Sequence, residues 1–473
     1  MQSSFLSRSA RISGSVLALA AAALLAGCGV GVASPDNDRP KDAEKWFRRA
    51  QTDFTQADFE DAHDAIAKAL QLVPEDIEVK TLAAKIALSS LDYAEVLRLL
   101  KGVRTSEAAG LRGRALWYKG ELEAAADELD TMLTDPEVKD DWAKSISKLA
   151  RRGAGRTPFV LSGGMLAALE MVHVSPVAPY FIIPIEIDGE SALAMLATGS
   201  AEVVLDSATR PEPSWVSLRL GQRLEVHDVP ALAQDLSGVS KEVGAPIKAL
   251  LGVNLLRHLN ATIDYDGRQF VARTYAPPPP PNATRINAHY VRGGGMIVRG
   301  TMGGEKGPSA ALLVDTSRPF PLALDAAGWV KAGTTVESLK LVPGDPEQKL
   351  REGVVPLLRL GAFDVPRQIG ISGVPIADIE KAMGVDLDGV MGAGLLYQFR
   401  CTFGDDGRVL WIEDDSDLLR MMSQPSQPEA PTNGRDTAPL PELPPPAPAP
   451  APALPPGAAK PIAPPAPPAP KKK

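Results

Sequence analysis

The sequence predicts a multidomain chain in which a helical part is followed by two similar all-β lobes and a disordered tail. First, residues 42–150 are helical in composition, and Ala57-Asp58-Phe59 is followed 34 positions later (59 to 93) by the similar Leu91-Asp92-Tyr93. Second, Leu218-Arg219-Leu220-Gly221 recurs 140 positions later (221 to 361) as Leu358-Arg359-Leu360-Gly361. A fixed offset of this kind indicates an internal repeat. Third, the 44 prolines are concentrated late in the chain.

Length and composition limit the possible classes of protein. A chain of 473 residues can hold two or three domains, and 44% hydrophobic residues suffice for buried cores. The net charge of −8 gives no basic patch for nucleic acid, so we expect no nucleic-acid partner. Of the two cysteines, Cys401 lies on an expected apolar strand and is predicted to be a buried, inert thiol.

The N-terminus has the pattern of a secretory signal, predicted to span residues 1–27. A basic start precedes an apolar run from Val16 to Ala26, which is too short to span a bilayer permanently. Leu25-Ala26-Gly27-Cys28 resembles the bacterial lipobox, which implies lipidation of Cys28. With Gly29 next, the resemblance implies an anchor in the outer membrane, on the periplasmic side. Residues 28–41 are expected to be a tether.

The helical part, residues 42–150, resembles the tetratricopeptide repeat family. Trp46, Ala62, Ala69 and Pro74 have the spacing of that family's consensus, and Gly120-Glu121-Leu122 begins a third, slightly altered copy. Each helix pair of such a solenoid buries its apolar stripe against its neighbour. The resemblance implies a concave surface that docks a peptide or protein partner. The alternative is a rigid spacer.

Alternating apolar residues predict the strands of lobe one, residues 177–275, and short polar turns separate them. Tight turns are expected at Asp188-Gly189 and Asp266-Gly267, and a helix is expected near Ile247–Leu251. Residues 276–284 contain five consecutive prolines and are predicted to be a stiff linker. Lobe two is predicted at residues 285–415. The expected strands are 182–187, 192–196, 203–205, 216–220, 223–226, 262–265, 269–273 and 399–403.

Each lobe has a threonine-containing turn after an apolar strand. We call Ala197-Thr198-Gly199 the lobe-one elbow and Asp315-Thr316-Ser317 the lobe-two elbow. Later in each lobe comes an apolar segment that ends in glycine, at Gly252 and at Gly392. This order resembles the retropepsin and pepsin family of aspartic proteases, in which a strand ends in Asp-Thr/Ser-Gly. The resemblance implies a bilobal all-β domain that covers about half of the chain.

Both elbows depart from the motif of that family. Ala197 stands where the family has its catalytic aspartate, whereas the lobe-two elbow keeps Asp315 and Thr316 but has Ser317 in place of glycine. Aspartic proteolysis needs two carboxylates that share one proton. We therefore expect a degenerate, non-catalytic domain that binds a protein or peptide. One alternative is an aspartic peptidase that pairs Asp315 between two chains of a homodimer, and another is a structural scaffold of the envelope.

Other chemistry is poorly supported by the sequence. The five histidines are scattered without metal-ligand spacing, so neither a metal nor a cofactor is expected. Residues 423–473 are mostly proline and alanine and are expected to form an extended, disordered tail that could approach peptidoglycan. The sequence leaves the oligomeric state and the identity of the partner open.

Overall fold

The computed structural model describes residues 39–175, 178–343, 345 and 348–414. The predicted signal peptide, Cys28 and the proline-rich tail lie outside the described residues. Among the residues described, no helix is both long and apolar enough to cross a membrane.

The first part of the described chain consists of helices that pack in consecutive antiparallel pairs. Aspartate side chains at residues 58, 76, 92 and 140 accept hydrogen bonds from first-turn N–H groups and so fix where four of these helices begin. Ala57 and Leu91 have the same left-handed backbone, with φ of 51° and 58°, so the 34-residue repeat is also a repeat of turn geometry. Assignment to the tetratricopeptide family stays a prediction. The helices are α1 Lys41–Thr55, α2 Phe59–Leu72, α3 Ile77–Ser89, α4 Tyr93–Leu99, α5 Ser106–Lys119, α6 Leu122–Leu133 and α7 Asp141–Arg152.

Lobe one is a closed six-stranded barrel with additional strands. The expected turn at Asp188-Gly189 is present, with positive φ at both residues, as a two-residue hairpin requires. The elements of this lobe are β1 Val160–Gly163, β2 Leu166–Glu170, β3 Ile182–Ile187, β4 Glu190–Ala197, β5 Val203–Asp206, β6 Ser214–Leu220, β7 Leu224–Gln234, α8 Ser237–Val243, β8 Ile247–Gly252, α9 Val253–His258, β9 Thr262–Asp264 and β10 Gln269–Arg273. The barrel order is β6-β3-β4-β8-β5-β7, closed by pairing of β7 with β6.

Lobe two repeats this topology strand for strand. Its elements are β11 Thr284–Tyr290, β12 Met296–Met302, β13 Ser309–Asp315, β14 Leu322–Leu324, α10 Ala326–Lys331, β15 Lys340–Leu341, β16 Arg351–Leu360, β17 Phe363–Ser372, α11 Ile376–Met383, β18 Gly389–Gly392, α12 Ala393–Leu396, β19 Phe399–Gly404 and β20 Val409–Asp414. The barrel order is β16-β12-β13-β18-β14-β17, closed by pairing of β17 with β16. Gly221 and Gly361 make the same hairpin turn, with φ of 61° and 60°. Residues 140 positions apart therefore have the same backbone conformation at this turn.

A six-stranded sheet joins the two lobes in the order β2-β10-β9-β19-β20-β11. At its centre, Thr262 pairs with Thr402, its own equivalent, and their hydroxyl oxygens lie 2.9 Å apart. A residue that pairs with its own duplicate marks a local two-fold axis, as in a symmetric dimer interface. The two lobes are therefore related as the protomers of a dimer would be.

Two sequence expectations need correction. Ile247–Leu251 was expected to be helical, but it belongs to strand β8, since a short apolar run fits a buried strand as well as a helix. Strands β1 and β2 pair with β7 and β10, so lobe one begins near residue 160 and not at 177. Between the lobe-two elbow and β16, the chain also forms α10 and β15, which have no counterparts at the same place in lobe one.

Candidate functional site

The two elbows are the ends of equivalent strands. In lobe one, β4 runs parallel to β8 and Ala197 lies opposite Gly252. In lobe two, β13 runs parallel to β18 and Asp315 lies opposite Gly392. Ala197 and Asp315 thus occupy the same position in the two barrels.

The elbows meet within one chain through their threonines. The hydroxyl of Thr198 accepts a hydrogen bond from the backbone N–H of Thr316 at 3.1 Å and donates to the carbonyl of Val314 at 2.8 Å. The hydroxyl of Thr316 makes the equivalent two hydrogen bonds. It accepts from the N–H of Thr198 at 3.0 Å and donates to the carbonyl of Leu196 at 2.8 Å. Both threonines are 1% exposed, so these four bonds form a buried brace between the lobes.

The carboxylate of Asp315 lies across the brace, against lobe one. A Cβ atom built on Gly199 would lie 2.5 Å from Cγ of Asp315, so the glycine leaves the space that this carboxylate occupies. The carboxylate accepts hydrogen bonds from the backbone N–H of Ser317 at 3.0 Å and from its hydroxyl at 2.6 Å. The guanidinium of Arg318 completes the set with an ion pair at 3.2 Å.

These contacts bind the carboxylate of Asp315 to a guanidinium, a hydroxyl and a backbone N–H. Ala197, which is 2% exposed, contributes only a methyl group at the equivalent strand end. A shared proton and an activated water require a second carboxylate there. Of the two equivalent strand-end residues, only Asp315 is acidic. Its carboxylate is bound by Arg318 and Ser317.

The helical part contacts the chain directly after the lobe-one elbow. Glu202 is 5% exposed, and its Oε1 atom accepts hydrogen bonds from the indole N–H groups of Trp117 and Trp142 and from the hydroxyl of Tyr118. The three distances are 3.3, 3.3 and 3.2 Å. Helices α5 and α7 therefore enclose a lobe-one carboxyl three residues beyond Gly199. We call these three aromatic residues the aromatic cage.

Burial in this cage raises the pKa of Glu202 above its usual value, because a charged carboxylate loses its hydration there. The hydrogen bonds from the cage and the positive charge of Arg114 act in the opposite direction but do not cancel the effect of burial. The same arginine stacks on the ring of Trp142, with its Cζ atom 3.9 Å from the ring centroid. It also forms an ion pair with Asp140 at 2.6 Å and donates to the carbonyl of Arg292 at 3.2 Å.

Helices α3 and α5 are buried on more than one face. Nine of the 13 residues of α3 and nine of the 14 residues of α5 are buried. One side of each packs within the helical layer, and both contact the turn Val291–Gly293 of lobe two. Both helices therefore take part in the contact between the helical part and lobe two.

Several residues of this site escaped the sequence analysis. Arg318 lies three positions after Asp315 and could have been noticed as a charge partner. The aromatic cage brings together residues 60 to 85 positions away from Glu202, and no local pattern indicates that. No cluster of metal-binding side chains occurs in the described parts of the chain. Cys401 is buried, and burial raises the pKa of its thiol to about 12, as expected for an inert thiol.

Comparison with known proteins adds little. No protein-family model matches the chain, and no curated protein matches it. A matching solved structure is that of a retropepsin-like aspartic protease from Rickettsia conorii, which is 18% identical. The match covers 28% of this chain and 88% of that chain, with a TM-score of 0.21. So low a TM-score shows nothing about the function of this chain.

Proposed function

We propose that this chain is a non-catalytic, aspartic-protease-like protein that binds a protein or peptide partner. The observation that carries the proposal is that the two equivalent strand ends bear different residues, Ala197 in lobe one and Asp315 in lobe two. A single carboxylate, already bound by Arg318 and Ser317, lacks the partner that would share its proton. The bilobal fold then serves for recognition and not for peptide hydrolysis.

The homodimeric peptidase is a weaker alternative. To bring two Asp315 side chains together, lobe one would have to leave lobe two and break the buried threonine brace. The joining sheet would have to separate as well, with its Thr262–Thr402 contact and the 2.9 Å ion pair between Asp264 and Arg400. Breaking buried hydrogen bonds and a partly buried ion pair without replacement is unfavourable.

The structural scaffold is the second candidate, and the burial of α3 and α5 favours it. A helical layer that is committed to its own lobes acts as a support for them. Both candidate functions, scaffold and binding protein, require a surface that can bind a partner. That surface must lie outside the contact between the helices and the lobes.

We place the protein at the outer membrane, facing the periplasm. The lipobox-like segment that ends in Cys28 supports a lipid anchor there. The lysines at positions 471–473 end a proline-rich tail that could approach anionic peptidoglycan. Labelling of Cys28 by a palmitate analogue in cells, compared with a Cys28→Ser variant, tests the anchor.

A cleavage assay tests the absence of catalysis. The purified wild-type chain and the Asp315→Asn variant are incubated with a peptide library from pH 3.5 to 7.5, with an active acid protease as positive control. We expect no cleavage by either chain at any pH. Cleavage by the wild type that disappears in Asp315→Asn would overturn the proposal. Sedimentation at the same concentrations would then show whether the active species is a dimer.

A further inference from the structure

The turn between α1 and α2 docks on the outer face of the lobe-two barrel. Phe59, which is 1% exposed, and Ala57, which is 0% exposed, belong to the same apolar cluster as Ala311. Arg299 donates to the carbonyl of Gln56 at 3.2 Å and forms an ion pair with Asp58 at 3.2 Å. The N–H of Asp386 donates to the carbonyl of Thr55 at 2.6 Å. Lobe two therefore has a built receptor for an inter-helix turn.

The duplication identifies the same positions on lobe one. Leu193 lies four residues before Ala197, as Ala311 lies four residues before Asp315. Across the hairpin, Pro184 pairs with Leu193 as Arg299 pairs with Ala311. Likewise, Pro246 precedes Gly252 by six residues, as Asp386 precedes Gly392. Pro184 and Leu193 are thus the lobe-one counterparts of Arg299 and Ala311. Pro246 lies within one residue of the counterpart of Asp386, because a β-bulge beside Leu193 shifts the pairing with β8.

These three residues line one open cavity of about 570 Å³. Much of its remaining lining is apolar and includes Leu169 and Ile185. Charged side chains at its rim are already paired: Lys248 with Asp206 at 2.8 Å, and Arg219 with Glu186 at 2.9 Å. An apolar cavity with a neutralised rim favours an uncharged, apolar occupant.

We propose that this lobe-one cavity, which we call the counterpart cavity, binds an inter-helix turn of a separate helical protein through an inserted aromatic side chain. The chain's own α1–α2 turn cannot be the occupant, because it is already buried on lobe two. Where lobe two has Arg299 to pair with Asp58, lobe one has the exposed Pro184, so the occupant needs no carboxylate there. The inference rests on the proposed function as a binding protein and specifies the site and the kind of partner.

A peptide that reproduces the docked turn is the probe. A fluorescent synthetic peptide of residues 41–72, which spans α1, the turn and α2, is titrated into the full chain, and anisotropy is measured. We expect saturable binding that weakens at least about tenfold with Leu193→Arg in the chain or Phe59→Ala in the probe, as for a central apolar anchor. Val160→Arg, at an exposed lobe-one residue outside the cavity, should leave the affinity unchanged.

A substitution that should strengthen binding of the probe gives a second test. A damaged fold could not produce that result. Pro184→Arg gives lobe one the residue of lobe two, so the probe should bind several-fold more tightly, and Asp58→Asn in the probe should cancel that gain. Absence of probe binding, or binding that Leu193→Arg does not weaken, would overturn the proposed cavity. Either result would leave the absence of catalysis standing, because the cleavage assay tests that separately.

Discussion

Thr198 and Thr316 hold the lobes together at the scale of single hydroxyl groups. Thr198→Val keeps the shape of the side chain but leaves the N–H of Thr316 and the carbonyl of Val314 without their partner. Because both groups are buried, we expect a loss of about 1–3 kcal/mol in the free energy of unfolding. Urea denaturation followed by circular dichroism measures it.

The reciprocal substitution and a double variant test whether the brace acts as a unit. Thr316→Val should cost a similar amount. The double variant should cost less than the sum, because the two hydroxyl oxygens are in contact at 3.4 Å and residues in contact couple. Thr131→Val, on the exposed side of α6, is the control and should change stability by less than about 0.5 kcal/mol. Strictly additive losses would contradict a shared brace.

Arg318 and Ser317 make the burial of the Asp315 carboxylate tolerable. A buried carboxylate without partners would be unfavourable, and these two residues supply a positive charge and hydrogen bonds. Ser317 thus has a structural role. Its hydroxyl donates to the lone aspartate.

At the scale of elements, Glu202 makes the contact between α5, α7 and lobe one depend on pH. The pKa of Glu202 is raised in the folded chain, so the unfolded chain ionises first as pH rises. Stability from this group is fully present below its ordinary pKa of 4.5 and is lost as pH rises through the raised folded pKa. Glu202→Gln keeps the acceptor oxygen but does not titrate. The melting temperature of this variant should therefore exceed that of the wild type increasingly from pH 4.5 towards pH 8.

A matched substitution separates this effect from a general change in charge. Glu305→Gln removes one carboxylate at an exposed position, and its melting temperature should follow that of the wild type at every pH. If Glu202→Gln melts below the wild type at pH 8, the ionised carboxylate stabilises the aromatic cage, and the expected sign is wrong.

Local patterns predicted most elements but not the contacts between distant ones. Strand β3 was expected at residues 182–187 and is found there, because alternation and a two-residue turn are local properties. Both elbows were also found from the sequence, because each is a short local motif in which a threonine-containing turn follows an apolar strand. Strand β8 was mistaken for a helix, since its six residues are too few to show a period. The aromatic cage could not be predicted, because Trp117, Trp142 and Glu202 meet only after two parts of the chain pack together.

At the scale of the whole molecule, the helical part and the lobes share apolar clusters. Phe59 of α2 packs among lobe-two residues, and Leu91 belongs to the large cluster that spans both barrels. Trp215 of lobe one packs against helical residues and donates its indole N–H to the carbonyl of Leu149 at 3.0 Å. Clusters that cross a boundary couple the two sides, so we expect one unfolding transition for residues 39–414.

Phe59→Ala tests this coupling. Removal of a fully buried phenylalanine ring should lower the free energy of unfolding by about 3–5 kcal/mol, whereas Leu72→Ala, at a half-exposed position on the same helix, should lower it far less. Because the ring belongs to the same apolar cluster as residues of β12 and β13, hydrogen exchange should accelerate in these lobe-two strands and in α2, more than in β4 and β8 of lobe one. Acceleration confined to the helices would mean that lobe two is stable without the docked turn. The α1–α2 turn could then leave lobe two without unfolding it. Its docking site on lobe two, like the counterpart cavity on lobe one, could then bind the turn of another protein.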